Sequence, residues 1–375
     1  MKCKVANLIF SIHGKGAYYE AFSDYFKDVE TNDDGKCMLE IYILDSFDRP
    51  KASYEYYSLS KKISFEKNEY MISESGMTYS VRNLFNMQMP TVLKLVVPKE
   101  TAGLKKLARR AYNRMFSAHI GDHGKYNSFV FSVANYRCLW YVFAVSLMKQ
   151  KCVFVHSGMI ARANKGYCLS GTSGCGKTST MMHLISDDDF SYIAEDFGIV
   201  SSEGKMYLMQ KKGAIYQSDA QYGNKLIRRA LDNLPKKEKR EWKRKVKRGI
   251  NAVYYFKPLQ LFDGSRIAND VLIVKTYFLV RSYQEQLIRE HEISLNEVVD
   301  RISTASFREI KELFELLTNI RAVGGEMYYP YYPSITDLME QYKDILKKAL
   351  QNSYIAVLFV PDNIDPKETA RIIVS

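Results

Sequence analysis

Apolar and polar residues alternate through the first third of the chain. Val5–Ile12, Met38–Leu44, Tyr54–Ser60, Lys62–Phe65 and Thr91–Val97 each read as strands, separated by turn clusters such as Asn32-Asp33-Asp34-Gly35. Residues 101–116 carry a helical period with a basic face, and Phe129–Val133 reads as one more strand. From Tyr136 the pattern becomes α/β. Arg137–Lys149 is an apolar helix, Cys152–His156 a strand, and Met159–Arg162 continues the sheet into an Asn164-Lys165-Gly166 turn. A buried strand over Gly166–Ser170, a helix from Thr178, and strands at Tyr192–Ala194, Gly198–Ser202 and Lys205–Met209 follow. Apolar residues three and four apart make 285–320 helical; a helix over Ile335–Gln351, a strand over Tyr354–Val360 and a last helix from about Pro366 close the chain. The expected fold is α/β with a mixed sheet: a β-rich N-terminal domain over 1–135, then a second domain over 136–375 with C-terminal helices.

The second domain carries the informative motif. Gly171-Thr172-Ser173-Gly174-Cys175-Gly176-Lys177-Thr178 matches G-x-x-x-x-G-K-[ST] between an expected strand and an expected helix, the context that a phosphate-binding loop needs. Glycines at 171, 174 and 176 let backbone N–H groups curl around a di- or triphosphate, with Ser173, Cys175 and Ser179 completing the cradle. Lys177 reaches the β/γ-phosphates and the Thr178 hydroxyl can ligate Mg²⁺. The helix N-terminus adds its dipole.

Glu195-Asp196 ends the strand Tyr192–Ala194, only 18 residues after Lys177, room for one helix and a return strand. Phosphoryl transfer needs a carboxylate at the metal and a group to orient or deprotonate the nucleophile. His156 ends the strand before the phosphate-loop strand, which can bring it to the same sheet edge. His119, His123 and His183 fit no ligand spacing and read as structural.

Val155-His156-Ser157-Gly158-Met159-Ile160, the run Gly166–Thr178, and Ala194-Glu195-Asp196 together resemble the core of the HPr kinase/phosphorylase family, which shares its nucleotide-binding core with phosphoenolpyruvate carboxykinases. The resemblance is strong from Leu139 to Lys205 and weaker to the end of the chain. It implies an ATP- and Mg²⁺-dependent kinase that transfers the γ-phosphoryl group to a hydroxyl, usually a serine. Lys177 would hold phosphates, Thr178 and Asp196 would serve the metal, Glu195 would stand as general base, and His156 would sit beside the transferred group. Glu195 replaces an aspartate of the family. Lys211-Lys212-Gly213-Ala214-Ile215-Tyr216 stands where the family has Glu-Ile-Arg-Gly-Leu-Gly, so the expected acceptor is another peptide, a protein or a small molecule. Family relatives are often hexamers, which makes a homo-oligomer an expectation too.

Charge adds a second feature. The chain has a formal net charge of +12, and 225–248 alone holds twelve Lys/Arg against Asp232, Glu238 and Glu241. This basic helical insertion, about 222–250, also carries an apolar stripe of Leu226, Ile227, Ala230, Leu231 and Leu234. It reads as a helical pair with one packed face, with docking of an acidic substrate as the functional alternative. Only Tyr222 and Trp242 are aromatic there, which disfavours a stacking platform, and nucleic acid is not an expected partner. Lys211, Lys212, Arg266 and Arg281 are the candidate cations for transition-state charge. Six cysteines without C-x-x-C spacing, no secretory signal and no long apolar run point to a reduced, cytoplasmic protein without a membrane span. The rival function is a P-loop ATPase or regulator that controls a partner through 225–248. A carboxykinase-type lyase would need a second His/Asp/Lys cluster that the sequence does not offer.

Overall fold

In the computed structural model the described residues are 1–47, 52–58, 61–74, 77–97, 119–120, 138–187, 189–209, 213–217, 220, 224–256, 258–262 and 266–374. They form a mixed α/β protein in two compact units. The first gathers Met1–Glu100, Tyr126–Val153 and Phe307–Ile345; the second gathers Thr101–Lys125, Phe154–Ser306 and Leu346–Ser375. This differs from the single cut expected between 135 and 136: the apolar helix Trp140–Lys149 and the helix Lys311–Gly324 belong with the N-terminal sheet. No helix among the described residues is long and apolar enough to cross a membrane. The expected helix over 101–116 and strand over 129–133 lie outside the described residues.

The first unit is an eight-stranded sheet, ordered Lys2–Val5, Leu8–Gly14, Leu39–Leu44, Thr91–Val96, Met77–Arg82, Glu69–Glu74, Lys61–Glu66, Tyr54–Ser58. The run expected as one strand over Val5–Ile12 is a hairpin, because Ala6 takes φ 53 and reverses the chain. Tyrosine makes much of this core. The Phe65 ring meets Tyr328 and Tyr54 at centroid distances of 5.1 and 5.5 Å, and buried Tyr70 donates to Tyr141 Oη at 3.0 Å. Lys149 ends its buried helix by donating to Asn83 O (2.7 Å), Met89 O (3.2 Å) and Thr91 Oγ1 (2.7 Å). No carboxylate shares that contact set.

The second unit is built on a mixed sheet in which Gly198–Ser201, Lys205–Tyr207, Val271–Ser282, Lys165–Gly171, Ser157–Arg162 and Ser191–Ala194 follow one another. Val271–Ser282 also pairs in parallel with Tyr354–Pro361, which in turn pairs with Arg289–Glu292. That last strand corrects the expectation of helix from 285; the helix begins at Leu295. Ser157–Arg162 and Lys165–Gly171 form a two-residue hairpin through Ala163 (φ 48) and Asn164 (φ 61), the positive-φ turn whose twist suits adjoining strands. The turn thus lies one residue earlier than expected. Behind the sheet, Met181, Met182, Leu184 and Ile185 of the helix Lys177–Asp187 pack with Leu169, Tyr277, Leu358 and Ile373.

Burial holds the Lys149 ammonium down to about 8, below its ordinary 10.5, against the pull of its three oxygen acceptors. Between those pH values the unfolded chain keeps a proton that the native chain has released, so stability rises with pH there. Below about 8 both forms hold the proton and the slope vanishes. Denaturant midpoints of the parent protein should therefore climb from pH 8 to 9.5 relative to those of Lys149→Met. Parallel curves for the two proteins would show that Lys149 does not titrate in that window.

Candidate active site

Three chain segments end at one edge of the second sheet. Ser157–Arg162 runs antiparallel to both neighbours, with Ser157 opposite Ser170 and Met159 opposite Ala194. Its start therefore lies beside the ends of Lys165–Gly171 and Ser191–Ala194, where ligands bind in open α/β sheets. The acid-bearing strand is one removed from the phosphate-loop strand, with Ser157–Arg162 between them.

Gly171 turns the chain out of the sheet at φ 145, and a Cβ there would stand 2.5 Å from Leu279 O and 2.8 Å from Cys175 Sγ. Gly174 and Gly176 also have positive φ, at 80 and 93, with open space around them. Thr172, Ser173 and Gly174 form an exposed crest, while Cys175 is buried and anchors the loop to the core. The helix begins at Lys177. The strand–loop–helix context expected from the sequence is present, with Thr178 and Ser179 in its first turn.

Lys177 folds back under the loop. Its buried ammonium donates to Gly171 O at 3.0 Å and Thr172 O at 2.9 Å, and stands 3.2 Å from His156 Nε2. His156 is itself pinned: its N–H donates to Ser306 Oγ at 3.0 Å and its carbonyl accepts from Ser170 Oγ at 3.0 Å. It occupies the bend between Cys152–Val155 and Ser157–Arg162 rather than a strand end.

Glu195 is buried, and its Oε1 accepts a hydrogen bond from Thr178 Oγ1 at 2.9 Å. The residue that touches the expected metal-side hydroxyl is therefore Glu195, whereas the family resemblance gave that side to Asp196. Asp196 takes φ 62, and Phe197 N donates to Glu195 O at 2.7 Å across it. An i to i+2 bond around a positive φ is the rare, strained form of the γ-turn. Tyr255, an exposed residue of the strand Val253–Phe256, belongs to the same neighbourhood: burial raises its phenol first, then the charges of Asp196 and Glu195. Sequence reasoning missed it, because nothing in Val253-Tyr254-Tyr255-Phe256 ties that strand to the acids.

The candidate cations divide. Arg266 Nη1 donates to Ile185 O at 2.5 Å, capping the last turn of the phosphate-loop helix. Arg281 pairs with Asp362 at 3.0 Å. Lys211 and Lys212 lie outside the described residues, as does His123. His183 is buried on the phosphate-loop helix, among core residues.

The oxygen pair Thr178–Glu195 suits a hard divalent cation that completes its shell with phosphate and water. Among the described residues no group of three or more His, Cys, Asp or Glu side chains could hold a metal by itself. No protein-family model matches the sequence, and no curated protein matches it.

Replacing Gly171 by alanine sets a Cβ against backbone at a φ that side chains rarely adopt. Gly171→Ala should lower stability by about 2 kcal/mol or more. Thermal melting checks it; an unchanged melting temperature would mean that the loop can leave this conformation freely.

Proposed function

We propose that the second unit is an ATP/Mg²⁺-dependent phosphotransferase, similar in its core to HPr kinases, that phosphorylates a hydroxyl of a peptide, protein or small molecule. The observation that carries this reading is the Thr178–Glu195 hydrogen bond of 2.9 Å, which ties a carboxylate to the first turn after a phosphate loop. Lys177 holds the β/γ-phosphates by exchanging the Gly171 and Thr172 carbonyls for phosphate oxygens, which are stronger, charged acceptors. Glu195 orients the Thr178 hydroxyl on the metal side. Thr178 and Glu195 would hold a divalent cation there, which would offset the negative charge on the phosphates.

Because Glu195 is engaged with Thr178, Asp196 takes the base role in this reading, reversing the order that the family resemblance implies. The acceptor oxygen forms a bond to the γ-phosphorus as the bond to the β,γ-bridging oxygen breaks. ADP leaves, and the acceptor's proton passes to Asp196. Tyr255 borders the two acids and is exposed enough to meet a substrate.

Three variants separate the roles. Lys177→Ala should lose ATP binding. Glu195→Gln should weaken ATP binding in the presence of Mg²⁺ while leaving metal-free binding unchanged. Asp196→Asn should keep binding but slow transfer by about a hundredfold or more. Incubation with γ-labelled ATP and a cell extract reads transfer directly. Label that appears only as free phosphate would favour the ATPase or regulator, and transfer undiminished in Asp196→Asn would remove the base assignment.

A further inference from the structure

The basic segment folds as two helices, Lys225–Asp232 and Lys236–Lys247, joined through Pro235. Asn224 caps the first by accepting from Leu226 N at 2.9 Å and Ile227 N at 3.2 Å. Lys239 spans the joint to Asp232 Oδ1 at 3.1 Å. Ile227, Leu234 and Trp242 are buried in the same cluster as Met181, Met182 and Ile185 of the phosphate-loop helix. Lys245 is also buried, paired with Glu241 at 2.9 Å. The inner side of the pair is thus packed against the core of the second unit.

The outer side is cationic. Lys236, Lys237, Arg240, Lys243, Arg244 and Lys247 are all exposed. At 3.6 residues per turn they fall within an arc of about 120°, and that arc holds no other residue type. Lys225, Arg228, Arg229 and Arg248 are exposed beside them. Eleven steps at 1.5 Å put six charges into roughly 16 Å, one every ~3 Å. An extended peptide turns a side chain to one surface only every ~6.6 Å, so even an all-acidic segment supplies half that density. Each strand of a duplex carries one negative charge per ~3.4 Å of axis, close to that spacing. Trp242 is buried, so no aromatic on the arc can stack on an unpaired base. That shortage disfavours single strands and leaves backbone contact with a duplex untouched.

We propose that this face docks the phosphate backbone of double-stranded nucleic acid, without sequence preference. The proposal goes beyond the phosphotransferase reading and is independent of it. The experiment uses the full chain without nucleotide and a fluorescent 20-base-pair DNA duplex across a salt series, beside the single strand and a polyglutamate of equal charge. The duplex should bind tightest, with affinity falling steeply as salt rises. Arg240→Ala/Lys247→Ala should weaken it by about tenfold and reduce the log–log salt slope by about two, one per lost phosphate contact. Both side chains are exposed, and unchanged thermal melting of the variant certifies the fold. Polyglutamate or single strand binding as tightly as the duplex would overturn the proposal, as would a double variant with unaltered affinity and slope. Failure of the labelled-ATP experiment would leave these measurements unaffected.

Discussion

A buried ammonium must find oxygens, and the second unit's edge is arranged around that need. Lys177 draws the Gly171 and Thr172 carbonyls inward, which is geometrically open only because the chain leaves the sheet at a positive φ with no Cβ to collide with Leu279. The same side chain stands 3.2 Å from His156 Nε2. His156 in turn is held through its backbone by Ser170 and Ser306, so loop, bend and a distant helix share one polar cluster. Without its acceptors the buried charge would lose several kcal/mol of solvation with nothing in return. The loop therefore rests on its lysine, and phosphate oxygens would replace contacts that already exist rather than order a slack segment.

Much of this edge was legible in the chain because it follows local rules. The G-x-x-x-x-G-K-[ST] spacing demands a strand before and a helix after, and both are present within a residue or two of the expected limits. Counting strands puts His156 near the loop, and its Nε2 lies 3.2 Å from Lys177 Nζ. What could not be read is decided by single backbone angles. Ala6 and Ala163 take positive φ although neither is a residue that advertises a turn, so one hairpin looked like a strand and another shifted by a residue. The unit boundaries were illegible for a different reason: helices such as Lys311–Gly324 carry the right period but nothing that names the sheet they cover. Tyr328 and Tyr332, just beyond that helix, make ring contacts and hydrogen bonds with residues more than 250 positions earlier.

The basic segment shows how one stretch of sequence can satisfy two demands. Ile227 and Leu234 of its apolar stripe are buried, Leu226, Ala230 and Leu231 are half-buried against the same core, and its exposed charges collect on the other side, as helical periodicity expects. Lys245 breaks that simple division. It lies on the inner face, 2.9 Å from Glu241, which is one turn earlier and buried with it. A lone lysine at that position would carry the full penalty of desolvation, so the two residues are best regarded as a single inward-facing element that separates the outer cations from the core.

The turn at Asp196 bears on why two adjacent acids can serve one site. In an extended strand, consecutive side chains point to opposite faces, so Glu195 and Asp196 could not both face the same ligand. The chain leaves extended geometry here: Asp196 adopts φ 62 and Phe197 N closes on Glu195 O. The charges of both acids add to the burial that raises the Tyr255 phenol. A strained non-glycine conformation costs on the order of 1–3 kcal/mol and persists only where its surroundings hold it. Glycine at 196 would relieve the strain and delete the carboxylate together. Keeping an acid there, against that cost, makes sense if the side chain itself is what the turn presents.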